Sequence, residues 1–354
     1  MLDPRRNIGD WLELTPGLSP FDRSLIRLLQ VDGRRSLAYL AQELGVAKKT
    51  VRRRLSELEA SGVVKITTVG DPYLMGYRVI ANVGVRVDCS RDVREVAEEL
   101  AAGRRAFYVA IVTGRYNVMV EISCIDNADL LETVERDIAR VRGVLDYEIH
   151  PYMRLFYQDP SFEASREKQD VDPALHPERV SFDWVDRDII ARLNENGRVP
   201  YQTIARGLQI SDSQVRQRVR RMIDAGALRV MAMTSPMALG FETVTLIGIA
   251  TYAGVSVEAI AARLAQLPAV IYVVITGGRF RLHVEVACTD GEDLLDLIET
   301  QVGRVEGISA LEPWTYLRLY YRSVRPIEPE DEFERSASAD GGTTPDQPEL
   351  MAGA

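Results

Sequence analysis

The chain has 354 residues, 46% hydrophobic and 27% charged, with a formal net charge of −9. That length suits two or three domains with their own cores, and no apolar run approaches the roughly 18 residues a membrane-spanning helix needs. Met1 to Leu14 has no signal-peptide core, so a cytoplasmic location is expected. Cys89, Cys124 and Cys288 show no CxxC spacing and read as small buried hydrophobes. His150, His176 and His283 are scattered, so no metal or cofactor is expected.

After an extension (1–19), residues 20–66 carry Ile26, Leu29, Leu37, Leu40 and Leu44 at helical spacing, broken by the turns "VDGR" (31–34) and "LGV" (44–46). The third helix lies in "VAKKTVRRRLSELEASG" (46–62), which places Lys48, Lys49, Arg52, Arg53 and Arg54 within seven positions. Val51, Leu55 and Leu58 form its apolar stripe, while Lys49, Arg53 and Ser56 fall opposite and Arg52 flanks them. Two short helices joined by a tight turn, the second basic, are the helix-turn-helix signature. Residues 47–65 hold six cations and two acids in an acidic chain, which favours a DNA-facing surface over a merely solvated one. Arg54 sits beside the stripe and is expected to pair with an acid or a phosphate.

The pattern then changes to period 2. Strands are predicted at 78–88, 106–114, 117–124 and 145–157, with helices at 92–101 and 128–140. This βαββαβ order, within 74–157, is that of a ferredoxin-like unit with one open apolar sheet face. Such faces need a cover, so sheet-to-sheet packing between units is expected, within or between chains.

A polar linker (158–181) precedes a second copy at a constant offset of 164: Asp22 maps to Asp186, Gly33 to Gly197, Arg54 to Arg218, Gly114 to Gly278 and Glu121 to Glu285. Its helix-turn-helix spans 182–230 and its ferredoxin-like unit 238–322. In its third helix Val215, Val219 and Met222 form the stripe, and Ser213, Gln217 and Arg220 point outward. Ser211 with Gln214 makes a capping box, whereas Ala47 leaves the first copy's third helix uncapped. From Arg325 onward eight acids face Arg325 and Arg335, so the tail (323–354) carries −6 of the charge and is expected to be disordered.

The fold class is therefore α+β: two copies of a helix-turn-helix followed by a βαββαβ unit. Each half resembles the leucine-responsive/asparagine regulator (Lrp/AsnC) family, through "FDRSLIRLLQVDGRRSLAYLAQELGVAKKTVRRRLSELEASGVV" (21–64), its counterpart at 185–228, and the turns "TGRYN" (113–117) and "GGRFR" (277–281). The resemblance implies a nucleoid-associated regulator that binds double-stranded DNA, self-associates through its effector domains and responds to an amino-acid-like molecule. The residues implied at DNA are Lys48, Lys49, Thr50, Arg52, Arg53 and Ser56, with Ser211, Ser213, Gln214, Arg216, Gln217 and Arg220. Those implied at the effector are Thr113, Gly114, Arg115, Tyr116 and Asn117, with Gly277, Gly278, Arg279, Phe280 and Arg281. The family's turn usually ends in Asp after the aromatic residue, a charge that favours a ligand ammonium; Asn117 and Arg281 stand there, so neither copy keeps that charge. Sirohaem decarboxylases also resemble tandem members, but no catalytic pattern appears, and of the histidines only His283 lies near an effector turn.

Overall fold

The computed structural model describes residues 18–158, 180–234, 236–321 and 323–327. The expectations for most of the N-terminal extension, the linker with His176, and the acidic tail beyond Ile327 fall outside these residues.

The first head consists of α1 (Pro20–Val31), α2 (Leu37–Glu43) and α3 (Lys48–Ala60). Its core is the expected stripe of Val51, Leu55 and Leu58 against Leu25, Ile26, Leu29 and Leu40. Ser19 and Asp22 cap α1 reciprocally, while α3 starts at Ala47 without a side-chain cap. Then follow β1 (Val64–Gly70), β2 (Val79–Val87), α4 (Val93–Ala101), β3 (Ala106–Val112), β4 (Val118–Cys124), α5 (Asn127–Thr133) and β5 (Val144–Gln158). The same order returns as α6 (Trp184–Glu195), α7 (Tyr201–Leu208), α8 (Asp212–Asp224), β6 (Leu228–Thr234), β7 (Thr243–Thr251), α9 (Val257–Ala265), β8 (Val270–Thr276), β9 (Leu282–Cys288), α10 (Gly291–Asp296) and β10 (Ile308–Tyr321). The single helix predicted at 128–140 is shorter as an α-helix: α5 and α10 each run on into a π-helical turn, Val134–Ile138 and Leu297–Val302.

Three features depart from expectation. First, the two four-stranded units do not stack as separate sheets. Their edges pair into one closed barrel, in the order β10-β3-β4-β2-β5-β8-β9-β7. The length of β5 and β10 explains this: Ala81 to Val87 of β2 pairs with the first half of β5, and the far half, from Tyr152, reaches β8 of the other unit. Likewise β10 pairs with β7 up to Thr315 and with β3 from Tyr316 onward. Closure satisfies the edge N–H and C=O groups that separate sheets would leave open. The cover for each apolar face thus comes from the same chain. Second, β1 and β6, which the periodicity did not reveal, form an antiparallel ribbon linking the two heads, from Val64↔Thr234 to Gly70↔Leu228. Third, Cys89 is exposed in the turn after β2, while Cys124 and Cys288 are buried as expected.

The heads are also joined by reciprocal bonds through the turn at 31–34 and its counterpart at 195–198. Gly33 N donates to Val230 O and Gly197 N to Ile66 O, both at 2.8 Å. Arg34 donates to the carbonyls of Gly197 and Val199, and Arg198 to those of Gly33 and Arg35. A Cβ on Gly33 would stand 2.8 Å from Ile66 Cγ2, so glycine is needed there for close approach. Gln209, the residue equivalent to Gly45, holds a left-handed φ of 57°. Gln209→Gly should therefore stabilise the protein by up to about 1 kcal/mol, readable as a higher urea midpoint; an unchanged or lower midpoint would exclude strain there.

Candidate DNA-binding heads and effector turns

On α3, Lys48, Lys49, Arg52, Arg53 and Ser56 are exposed and Thr50 is half-buried. Arg53 pairs with Glu57 one turn on, at 2.9 Å. Arg54 turns inward, its Nε and Nη2 donating to both oxygens of fully buried Asp22 at 2.5 and 2.7 Å. These bonds hold the Asp22 carboxyl below the usual range and raise the guanidinium. Its expected structural pairing with an acid is what the geometry has.

On α8, Ser211, Ser213, Gln214, Arg216, Gln217 and Arg220 are all exposed. Gln214 Oε1 accepts from Ser211 N at 2.9 Å, completing the capping box, so that side chain is already engaged. Arg216 pairs with Asp212 at 2.8 Å and lies over the Tyr201 ring, and Arg220 reaches Asp224 at 3.4 Å. Arg218 spans Asp183 and Asp186. The two third helices are therefore electrostatically unlike. On α3, Lys48, Lys49 and Arg52 have no ion pair among the described residues, whereas the outward arginines of α8 are each tethered to an acid.

The effector turns lie between β3 and β4 and between β8 and β9, and each is stitched to the other unit. Thr113 N donates to Thr315 O at 3.0 Å, and Gly277 N to Pro151 O at 2.9 Å. Arg115 and Arg279 converge on Glu312, at 3.1 and 3.4 Å, so both turns share one end of the barrel. Gly114 and Gly278 have φ of 99° and 100°, a region that favours glycine. Arg115, Arg279 and Arg281 are exposed. Tyr116 and Phe280 are buried in the lumen against Trp314, their ring centroids 5.4 and 5.2 Å from its own. Those two aromatics anchor the turns and do not face an external ligand. Asn117 is likewise engaged, its Oδ1 accepting from Val87 N at 2.8 Å.

The histidines are less scattered than the sequence suggests: β5 and β9 bring His150 and His283 to 4.8 Å between ring centroids, both fully buried beside the effector turns. His150 Nε2 lies 3.3 Å from the Tyr116 hydroxyl, which also donates to Glu148. Neither nitrogen of His283 has a hydrogen-bond partner among the described residues. Burial, then the neighbouring His150, depresses His283 well below its ordinary value. The unfolded chain therefore takes up this proton first, near pH 6.5, and stability is lost as pH falls from there through the folded value. Met119 occupies the equivalent position in the first copy. His283→Met should stabilise the protein by about 1–3 kcal/mol, the cost of an unpartnered buried polar group, and flatten the loss of stability below pH 6.5. Urea unfolding at pH 7.5 and 5.5 checks this, and an unchanged acid slope would refute it.

Comparison with known proteins follows the same division. AsnC-type helix-turn-helix domain models match residues 18–59 and 182–223, an Lrp/AsnC ligand-binding domain model matches 79–162, and a model described as PF0864 C-terminal dimeric alpha+beta barrel domain matches 249–322. An uncharacterised HTH-type transcriptional regulator of Pyrococcus horikoshii is 30% identical over 132 residues, 37% of this chain and 83% of the relative. The HTH-type transcriptional regulator LrpA of the same organism is 29% identical over 133 residues, 37% of this chain and 94% of LrpA. Among solved structures, the siroheme decarboxylase NirDL superposes with a TM-score of 0.59 at 18% identity, covering 91% of this chain and 99% of that one; at that identity the likeness concerns the fold alone. Two helix-turn-helix units with ligand-binding-type domains define a duplicated regulator architecture. The chain belongs to the Lrp/AsnC family, as a tandem member.

Proposed function

We propose that the protein is a sequence-specific transcriptional regulator of the nucleoid, whose two fused heads read unlike half-sites and whose barrel responds to an amino-acid-like effector. The observation that carries this is that the two heads are joined at their first turns through Arg34 and Arg198, while their third helices present Lys49, Arg53 and Ser56 in one head and Ser213, Gln217 and Arg220 in the other. A rigid pair of unlike heads favours a non-palindromic operator, since half-site spacing and order follow from protein geometry.

Selection of bound sequences from a random pool tests it. Each good bidentate base contact discriminates by about 1–3 kcal/mol. Arg53→Ala should relax preference at one half-site only, and Gln217→Ala at the other. Lys48→Ala should weaken all sequences alike and reduce the salt slope by about 1, because it is assigned to phosphate. A perfect palindrome as best binder, or both substitutions altering the same base pairs, would defeat the asymmetric reading. For the effector, Arg115 and Arg279 at the shared barrel end supply the carboxylate-binding charge; a thermal-shift screen of amino acids in which the Arg279→Ala response equals wild type would reject that assignment. No catalytic role is assigned to any residue. Further self-association is assigned to equivalent apolar positions exposed in both copies, Met153 with Leu317 and Leu131 with Leu295, and is checked by light scattering.

A further inference from the structure

At mid-barrel the pairing registers place Tyr108, Glu121, Asn82 and His150 side by side on β3, β4, β2 and β5. The second copy has Tyr272, Glu285, Leu246 and Trp314 in the same row. The rows face one another, and residues of both line a narrow crevice that includes Asn82, Glu121, Leu246 and Glu285. Each carboxylate is held from both copies. Glu121 accepts from Tyr272 at 3.4 Å and interacts with Tyr152, while Glu285 accepts from Tyr316 at 2.7 Å and interacts with Tyr108.

This cluster brings two acids and four tyrosines together without a cationic side chain among the groups acting on either glutamate. Protein surrounds both carboxylates, although the crevice leaves each partly accessible. Burial, and for Glu121 the charge of Glu285 as well, pushes them up to about 8 and about 7. A second feature points to a guest. Asn82 is 6% exposed, lines the crevice directly opposite Glu121, and its Oδ1 has no hydrogen-bond donor among the described residues. The tyrosine hydroxyl protons are engaged by the carboxylates, which leaves Asn82 Oδ1 as an acceptor without a donor.

We propose that the crevice binds one compact, monovalent cation of the size of ammonium or potassium, held by Glu121, Glu285 and Asn82 Oδ1. Ammonium would donate to these oxygens and potassium would be coordinated by them; the acceptor chemistry is shared. The free space is about 10 Å³, roughly one water. A cation that keeps its water shell, such as magnesium, does not fit. The position equivalent to Asn82 is Leu246, so the two equivalent glutamates share a single asparagine acceptor. Bound there, the cation would tie the two effector units together at their shared lumen.

Thermal unfolding of the full chain at pH 8.5 in matched chloride salts tests the site, with a readout independent of DNA and effector. Potassium or ammonium should raise the melting temperature by several degrees over tetramethylammonium, which is too large to enter, and the order of the two identifies the preferred ion. The difference should vanish below pH 6, where both glutamates carry protons. Asn82→Leu, which copies the second unit, and Glu121→Gln should each abolish the difference. Because either variant can shift the baseline, the quantity read is each variant's own difference between salts. Equal melting temperatures in all salts, or a salt difference that persists in both variants, would overturn the proposal. Proton uptake near pH 7–8 with no cation dependence would also overturn it and leave protons as the only guests.

Discussion

Trp314→Ala should cost about 3–5 kcal/mol, the range for removing a large aromatic from a packed core. Trp314 is fully buried, and its ring touches the lumen side chains of both units: Tyr116 at 5.4 Å, Phe280 at 5.2 Å and His283 at 5.3 Å between centroids. Its Nε1 donates to Glu312 at 3.2 Å, the carboxylate shared by Arg115 and Arg279. The cavity cannot collapse easily, because barrel closure fixes the strands around it. Glycines are already placed to make room for the rings: a Cβ on Gly248 would stand 2.5 Å from the indole. Urea unfolding followed by circular dichroism reads the loss. A cost under about 1 kcal/mol would mean that the lumen repacks, contrary to its close packing. The same variant should loosen both effector turns and weaken any effector response at each.

Arg54→Ala should destabilise the first head by about 2 kcal/mol, more than Arg218→Ala destabilises the second. Deleting one partner of a buried pair costs about 3–5 kcal/mol, here discounted because Arg54 is 35% exposed. Without Arg54, the fully buried Asp22 keeps, among the described residues, only its Ser19 hydrogen bonds. In the second head Asp186 has two cationic partners, Arg218 at 2.9 Å and Arg221 at 2.5 Å, so losing one leaves its charge compensated. The Asp22 carboxyl is held below 3.8, chiefly by the Arg54 hydrogen bonds. Its contribution is thus present above pH 3.8 and lost as pH falls through the folded value. Equal costs for the two arginine substitutions would refute the difference.

The sequence alone determined what is local or repeated. The 3.6-residue spacing of Val51, Leu55 and Leu58 set the buried face of α3, and so which cations point outward. The 164-residue offset showed that the order of elements occurs twice. Period-2 runs located the four barrel strands of the first unit within a few residues, because alternation marks a strand with two unlike faces, and the offset implied their four counterparts.

Tertiary structure decided whatever depends on pairing between distant segments. The strand Val64–Gly70 was missed because its burial pattern does not alternate cleanly; its partner, Leu228–Thr234, lies far along the chain and supplies the hydrogen bonds that define it. Barrel closure was read as stacking because apolar periodicity reports that a face is buried, not which edge its backbone pairs with. The meeting of His150 with His283 and the inward turn of Tyr116 and Phe280 follow from that closure. So does the row of Asn82 beside Glu121: no spacing along the chain brings residues 82, 121 and 285 together, and only the registers across β2, β4 and β9 do so.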